Sequence, residues 1–435
     1  MNTRLTRRRF LGHSGRLAGA ALLGTVVPAV VLGQGNRPAP SNRIALGCIG
    51  VGSRGLLNLE AFLSQLDCQV VAVCDVDNHH ASLARNVVNR LYGNEDCALH
   101  GDFRELLGRR DIDAVSIALP HHWHAVPAIE AARQGKDIYA ETPLAHSVRE
   151  GRAVCDAVER YARVWQTGSW QRSAPRFQQA VELVLNQRIG RVRTVEVGFP
   201  SGHPDLAGTA GQEAPADPPA GLDYDRWLGP ALWAPYCPAR VHGNWRWRLE
   251  YGGGQLMEWA GHHVDIAHQG MNCDRSGPLA IEGQGEDPPP GLWNTPVRCR
   301  LSLEYPNNVT MILASGYPHI HDGVRWIGDQ GWIRVDRDTI EASPRSLLDE
   351  RIGPWETNLR RTSGHHRDFL DCVKTRQPTL APVEAAQRSS TAGHLAQLAM
   401  LLGRKIRWNP LREEVLEDAT AARLLGRAYR EPWRL

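Results

Sequence analysis

The stretch RIALGCIGVGSRGLLNLEAFL, from Arg43 to Leu63, restricts the fold more than any other part of the chain. An apolar run to Ile49 reads as a strand. Gly50, Gly52 and Gly55 follow in the spacing G-x-G-x-x-G, and an amphipathic helix begins. The first glycine permits a tight turn and the second lets backbone approach a pyrophosphate. The third lets helix and strand pack closely, while the helix N-terminus faces the phosphates. Ser53 and Arg54, at the helix start, join the expected cofactor contacts. A second strand, within QVVAVCDVD, ends at Asp75, 20 residues past Gly55, where a ribose-binding carboxylate belongs. An acid there repels a 2′-phosphate, so the expected cofactor is NAD rather than NADP. The plain alternative is a glycine-rich turn that binds nothing.

The strand–helix alternation continues. AVSIALP (Ala114 to Pro120) and DIYAETP (Asp137 to Pro143) read as strands, with the helix HHWHAVPAIEAARQG between them; VWQTGSWQRS reads as strand plus loop. The strand ends at Pro120, Glu141 and Gln166 then lie on one edge with Gly50, where doubly wound sheets place ligands. At 435 residues, two domains are expected. RVRTVEVGFP, CRLSLEYPNNVTMILASG and GWIRVDRDTIEAS alternate apolar with polar residues, which predicts a largely antiparallel sheet in an α+β domain. The expected division is a linker over 34–42, an α/β Rossmann domain with a doubly wound parallel sheet over 43–165, an α+β substrate and oligomerisation domain over 166–363, and C-terminal helices and tail over 364–435. The Pro- and Gly-rich stretch 202–221 reads as an irregular excursion.

Residues 1–33 differ from the rest. TRRRFLG is followed by a small apolar run from Leu17 to Leu32, 16 residues, short for a membrane span. The pattern resembles a twin-arginine leader with Arg7 and Arg8 as the pair, cleaved after Gly33, so the expected location is the periplasm or another exported compartment and the export machinery is an expected partner. An uncleaved anchor is the alternative. The leader holds five arginines and no acid, so the remainder carries a formal charge of about −2 against +3 for the whole chain. Such a balance gives no reason to expect nucleic acid or stable membrane association after cleavage. The nine cysteines have no CxxC pair and are expected as free thiols.

The richest stretch is HGNWRWRLEYGGGQLMEWAGHHVDIAHQGM. Gly252 to Gly254 break the chain, and a helix is expected from about Gln255 to Gly270. Glu258 and His262 are four apart and would share its face; His263 is adjacent and Asp265 follows. Glu258 and His262 at that spacing suit zinc, but there is no HExxH and no compact ligand set, so no metal is expected. At the other corner, Glu141-Thr142-Pro143 closes a strand with an acid, a hydroxyl and a residue that cannot donate to the ladder.

Together these residues resemble the Gfo/Idh/MocA family, the glucose–fructose oxidoreductase and inositol dehydrogenase group, over about 43–435. The matching parts are the glycine turn at Gly50, the P-x-H-W-H element from Pro120 to His124, the E-x-P corner at Glu141, GGGxxxE…H from Gly252 to His262, and the closing segments GHHRDFLDC and AAQRSSTAGHLA. The resemblance implies NAD(P) between a Rossmann domain and an α+β domain, a sugar or polyol substrate and, by analogy, a homo-oligomer. In the family a lysine in an E-K-P corner helps to deprotonate the substrate hydroxyl, with an acid and a histidine from the second domain. Carried over, the acid falls on Glu258, the histidine on His262, and the lysine on Thr142, where it is replaced. A threonine hydroxyl has no useful pKa near neutrality, so His262, with Glu258, is the expected base.

The expected activity is an exported NAD-dependent oxidoreductase acting on a sugar, polyol or glycoside hydroxyl, with a bound and recycled cofactor. Two alternatives are an NAD-recycling glycosidase or lyase working through a keto-sugar, and a non-catalytic sugar- or nucleotide-binding protein. Expected substrate contacts are Trp170, Trp245, Arg172, His263 and Asp265; His124, after a strand end, is expected at the cofactor.

Overall fold

Six short apolar strands build the first sheet: β1 (Ile44–Ile49), β2 (Cys68–Cys74), β3 (Ala98–His100), β4 (Ala114–Ile117), β5 (Asp137–Ala140) and β6 (Trp165–Thr167). All pairings are parallel, in the order β3-β2-β1-β4-β5-β6. β4 and β5 are buried at every position, as strands covered on both faces must be, and so read as unbroken apolar runs. The order reverses between β1 and β4, and a crevice opens there at the carboxyl ends of the strands. Helix α1 (Ser53–Leu63) leaves β1 through the glycine turn and has no side-chain cap, so its first amide N–H groups stay available. This computed structural model describes residues 38–435; the leader, its cleavage point and the first part of the expected linker, 34–37, lie outside the described residues.

The second sheet has nine strands: β7 (Val192–Phe199), β8 (Ala280–Glu286), β9 (Arg298–Tyr305), β10 (Val309–Ser315), β11 (Gly323–Gly328), β12 (Trp332–Val335), β13 (Ile340–Ser343), β14 (Ile406–Asn409) and β15 (Glu414–Val415). Their order is β13-β12-β11-β7-β10-β9-β8-β14-β15, and only β7 with β10 is parallel. On β9, Cys299, Leu301, Leu303 and Tyr305 point inward and Arg300 and Glu304 outward. The inward faces meet the helices Pro175–Leu185 and Val383–Leu402 in one core that contains Phe177, Trp326 and Leu395. The stretch 202–221 is irregular, as its composition predicts. All nine cysteines are free, eight of them buried.

The helix expected over 255–270 is not continuous. An α-helical turn, Gly254–Trp259, passes into a π-helix, Ala260–Val264, and returns to α over Asp265–Gly270. A π turn widens the helix and re-aims the side chains around it. It lies where the helix meets the Glu141-Thr142-Pro143 corner: a Cβ on Gly261 would sit 2.5 Å from Thr142 Cβ. The long helix Val383–Leu402 braces this meeting point from behind. The Leu144 amide donates to Ser390 Oγ at 3.1 Å, and a Cβ on Gly393 would crowd Met257 and Ala260 at under 3.0 Å.

Candidate active site

A cavity of about 730 Å³ runs from the glycine turn to the broken helix. At the turn, Gly50 has φ +75° and a Cβ there would lie 2.3 Å from Ala118 O; a Cβ on Gly55 would lie 1.9 Å from Gly50 O. The fold itself forces both glycines. Gly52 differs. Its φ is −67°, and a Cβ would meet only the His80 ring, at 3.5 Å. Nothing in the protein requires glycine at 52, so the room it leaves is room for a ligand. Asp75 accepts from the Val51 amide at 2.9 Å and the Asp77 amide at 3.0 Å, fixing the turn from below, and burial raises its pKa. Arg54 Nε donates to Glu141 Oε1 at 2.9 Å and Asn58 Nδ2 donates to the same oxygen at 2.8 Å. Gly50, Gly52, Ser53, Arg54, Gly55, Asp75, Pro120 and Glu141 all line this cavity.

His124 does not. It is buried, with Nδ1 2.6 Å from Pro143 O and Nε2 2.7 Å from Leu119 O. The expectation of direct cofactor contact is corrected: backbone occupies both ring nitrogens, and His124 ties the end of β4 to the corner after β5.

At the far end, Thr142 Oγ1 lies 3.5 Å from His262 Nε2, and His262 Nδ1 is buried with no partner among the described residues. Burial, reinforced by the nearby Arg337 cation, pushes the His262 pKa down to about 3. His262 is therefore neutral throughout the physiological range. Glu258 Oε2 lies 2.8 Å from Arg246 Nε in an ion pair, and Oε1 lies 2.8 Å from His121 Nε2. Burial raises the Glu258 pKa, but Arg246 and His121 outweigh burial and hold it well below the usual carboxylate range. An acid so strongly held ionised orients and stabilises charge; it is a poor proton acceptor. His121, with 2% of its side chain exposed and a pKa lowered to about 4 by burial, faces Glu258 through Nε2 and leaves Nδ1 unpartnered. Sequence reasoning left His121 out of the site, although it sits inside the P-x-H-W-H element; its partner is 137 positions away in the chain.

Trp170 and Trp245 line the cavity as expected, and the Arg246 guanidinium lies 4.4 Å from the centre of the Trp245 ring. Arg172, Asp265 and His263 do not line it, and their expected substrate contacts are corrected. Arg172 is 2% exposed and clasped by two acids: Nε donates to Asp265 Oδ2 at 2.6 Å, and Nη1 to Asp274 Oδ2 at 2.8 Å. His263 is buried, with Nδ1 2.9 Å from Gly198 O on β7. His263, inside the π turn, and Asp265, just beyond it, face the core rather than the cavity.

The expectation of no compact metal-ligand set is also modified. Asp77, His80 and His242 each place one ligand atom within 4.8 Å of the others at the cavity wall. His242 lies far from the other two in the chain, so spacing alone could not reveal the cluster.

Comparison with known proteins agrees with this geometry. Residues 44–169 match the family model described as "Oxidoreductase family, NAD-binding Rossmann fold", and residues 194–435 match "Oxidoreductase family, C-terminal alpha/beta domain". A glycosyl hydrolase family 109 protein of Shewanella putrefaciens is 33% identical over 172 residues, which is 35% of this chain and 37% of that protein; the match thus spans well under half of the relative's length. Two solved structures share the fold. The WlbA dehydrogenase from Bordetella pertussis, in complex with NADH and UDP-GlcNAcA, has a TM-score of 0.62 at 16% identity, covering 84% of this chain and 99% of that one. An aldose-aldose oxidoreductase from Caulobacter crescentus has a TM-score of 0.61 at 18% identity, with the same coverage. The glycine turn with room at Gly52 and the NAD-binding domain model agree on the cofactor, which is NAD. The chain belongs to the Gfo/Idh/MocA oxidoreductase family, with an NAD-binding Rossmann domain followed by the family's C-terminal α/β domain.

Proposed function

We propose that the protein oxidises a hydroxyl of a sugar, polyol or glycoside with an NAD that stays bound and is regenerated in each cycle. The observation that carries this reading is the meeting, in one cavity, of the glycine turn with Thr142, His262 and the His121–Glu258 pair. NAD supplies the acceptor for the hydride that leaves the carbinol carbon. The chain's own residues must orient the hydroxyl and take its proton. Neutral His262 has a lone pair for that proton, but burial makes it a weak base that depends on the raising effect of the Glu258 charge, and the Thr142 hydroxyl offers a hydrogen bond in place of the ammonium a lysine would supply. Ionised Glu258 stabilises the imidazolium once formed. Trp170 and Trp245 present flat faces suited to sugar rings.

The proposal includes export on the twin-arginine pattern at Arg7 and Arg8. Outside the cytosol there is no free NAD pool to turn over, which favours chemistry in which the hydride leaves and returns. It also includes a homo-oligomer formed through the sheet face that the helices leave uncovered. A second reading, an NAD-recycling glycosidase, is favoured by the likeness of about a third of the chain to proteins named glycosyl hydrolase family 109.

Mass analysis of the small molecules released on denaturing the purified protein tests the bound cofactor; finding no nicotinamide dinucleotide would sink the recycling scheme. Incubation with nitrophenyl glycosides separates the two enzymatic readings: nitrophenol released without net NADH supports the glycosidase, and an oxidised sugar formed with the bound NAD reduced in a single turnover, without nitrophenol, supports the oxidoreductase.

A further inference from the structure

Four arginines line the cavity: Arg54, Arg226, Arg246 and Arg337. Three have acids beside them. Arg54 bonds Glu141, Arg246 bonds Glu258, and Arg226 lies within 3.8 Å of Asp102 and 3.5 Å of Asp223. Among the described residues, no carboxylate approaches the Arg337 guanidinium to ion-pair distance. Of the two acids on its own turn, Asp338 acts on it only through space without an ion-pair contact, and Asp336 is turned inward, accepting from the Asp338 amide at 2.8 Å, the Thr339 amide at 2.6 Å and Arg334 Nη2 at 2.6 Å.

Arg337 is nevertheless held in place. It projects from the turn between β12 and β13, with its guanidinium 5.1 Å from the Trp170 ring centre and 4.6 Å from that of Trp259. With the Gln171 amide turned to donate to His262 O at 2.9 Å, Gln171 Oε1 accepts from Arg337 Nε at 3.2 Å. The two indoles and this amide fix the plane of the group, and both Nη atoms remain without a protein acceptor among the described residues. A planar, pre-oriented guanidinium with two free donors matches the two oxygens of a carboxylate or sulfate.

We propose that Arg337 recognises an anionic group, a carboxylate or a sulfate, carried by the sugar that enters this cavity. The inference rests on the sugar-oxidoreductase reading above and narrows its substrate class to acidic sugars. Arg172 cannot play this part because Asp265 and Asp274 saturate it, and Arg246 is less suited because Glu258 already balances its charge at Nε and Gly243 O takes its Nη1.

Calorimetric titration of the NAD-loaded full chain with methyl glucuronoside, glucose 6-sulfate and methyl glucoside tests it. One charged sugar should bind at least about tenfold more tightly than methyl glucoside, with a preference that shrinks in high salt. The preferred one identifies the group as carboxylate or sulfate. Arg337→Gln should abolish the preference, and Arg337→Lys should keep part of it. Equal binding of charged and neutral sugars, or no binding of either charged sugar, overturns the proposal. So does an Arg337→Gln chain that loses affinity for NAD while keeping its sugar preference, because the recognised anion would then be the cofactor's own. Reduction of NAD by neutral sugars without any charge preference would leave the proposed function standing and sink this inference alone. Charged-sugar preference without any NAD reduction would do the reverse.

Discussion

Arg172 with Asp265 and Arg246 with Glu258 are the same chemical pair in two settings. Both acids come from the helix broken at Ala260–Val264. Arg172 and Asp265 are each 2% exposed, and the Arg172 guanidinium is saturated by Asp265 and Asp274; Arg246 and Glu258 are 21% and 24% exposed at a cavity wall. The first pair is a strut whose charges never reach solvent. The second shares its carboxylate with His121 and faces a space large enough for a substrate. An ion pair's sequence neighbourhood therefore says little about its role; the helix turn that separates the two acids decides which faces the core and which the cavity.

Replacing Arg172 with Ala tests that contrast most severely. It strands the buried Asp265 carboxylate and removes the partner of the partly exposed Asp274, and should cost ~3–5 kcal/mol of stability in urea denaturation, whereas Arg246→Ala, which strands only a partly solvated acid, should cost ~1 kcal/mol or less. Equal losses would erase the distinction between strut and site. For the cavity side, His262→Ala should lower turnover by ~10²–10⁴-fold with NAD affinity unchanged; full activity in that variant would remove His262 from its role. Gly261→Ala forces a methyl toward Thr142 and should cost ~1–3 kcal/mol in thermal unfolding, a sign that the corner and the π turn share one packing. A melting temperature unaffected by Gly261→Ala would mean the two move apart freely.

The smallest effect lies in acid. His121, His262, His263 and His268 all have pKa values between about 3 and 4, mainly through burial. The folded state therefore binds fewer protons than the unfolded chain below the ordinary imidazole value of 6.5. Their contribution to stability is full above about pH 6.5 and is lost progressively as the pH falls toward 3. Denaturation midpoints measured from pH 7 to pH 4 should fall, and His263→Gln should flatten that slope; an unchanged slope would argue that His263 is protonated in the folded protein.

The backbone part of the site was plain in the sequence. Gly50 and Gly55 are demanded by positive φ and close approach, and Asp75 ends a strand whose apolar run is unbroken, so the signals are local. Trp170, Trp245, Glu258, His262 and Thr142 also reach the cavity, because each belongs to a recognisable element. What failed were side chains whose role depends on distant partners. Arg172 and Asp265 looked like substrate contacts until each found the other across 93 positions. His121 needed Glu258 to define its tautomer, and Arg337 sits in an ordinary turn, VDRDT, whose spacing carries no signal. The π turn was invisible because the α-helical segments on either side are only 6 residues each, too short for the phase shift of an inserted residue to show in the pattern. β8 and β11 were also missed. AIEGQGE contains two glycines that weaken any strand pattern, and β8 holds because β9 and β14 pair with it on either side.

The bond from the Leu144 amide to Ser390 Oγ joins the Thr142 corner to a helix that is made 246 positions later in the chain. A nascent chain has its nucleotide cradle complete long before that brace exists. A polypeptide cut short ahead of Val383 would keep every glycine of the turn yet leave Thr142 without its backing, a dinucleotide holder with no working corner.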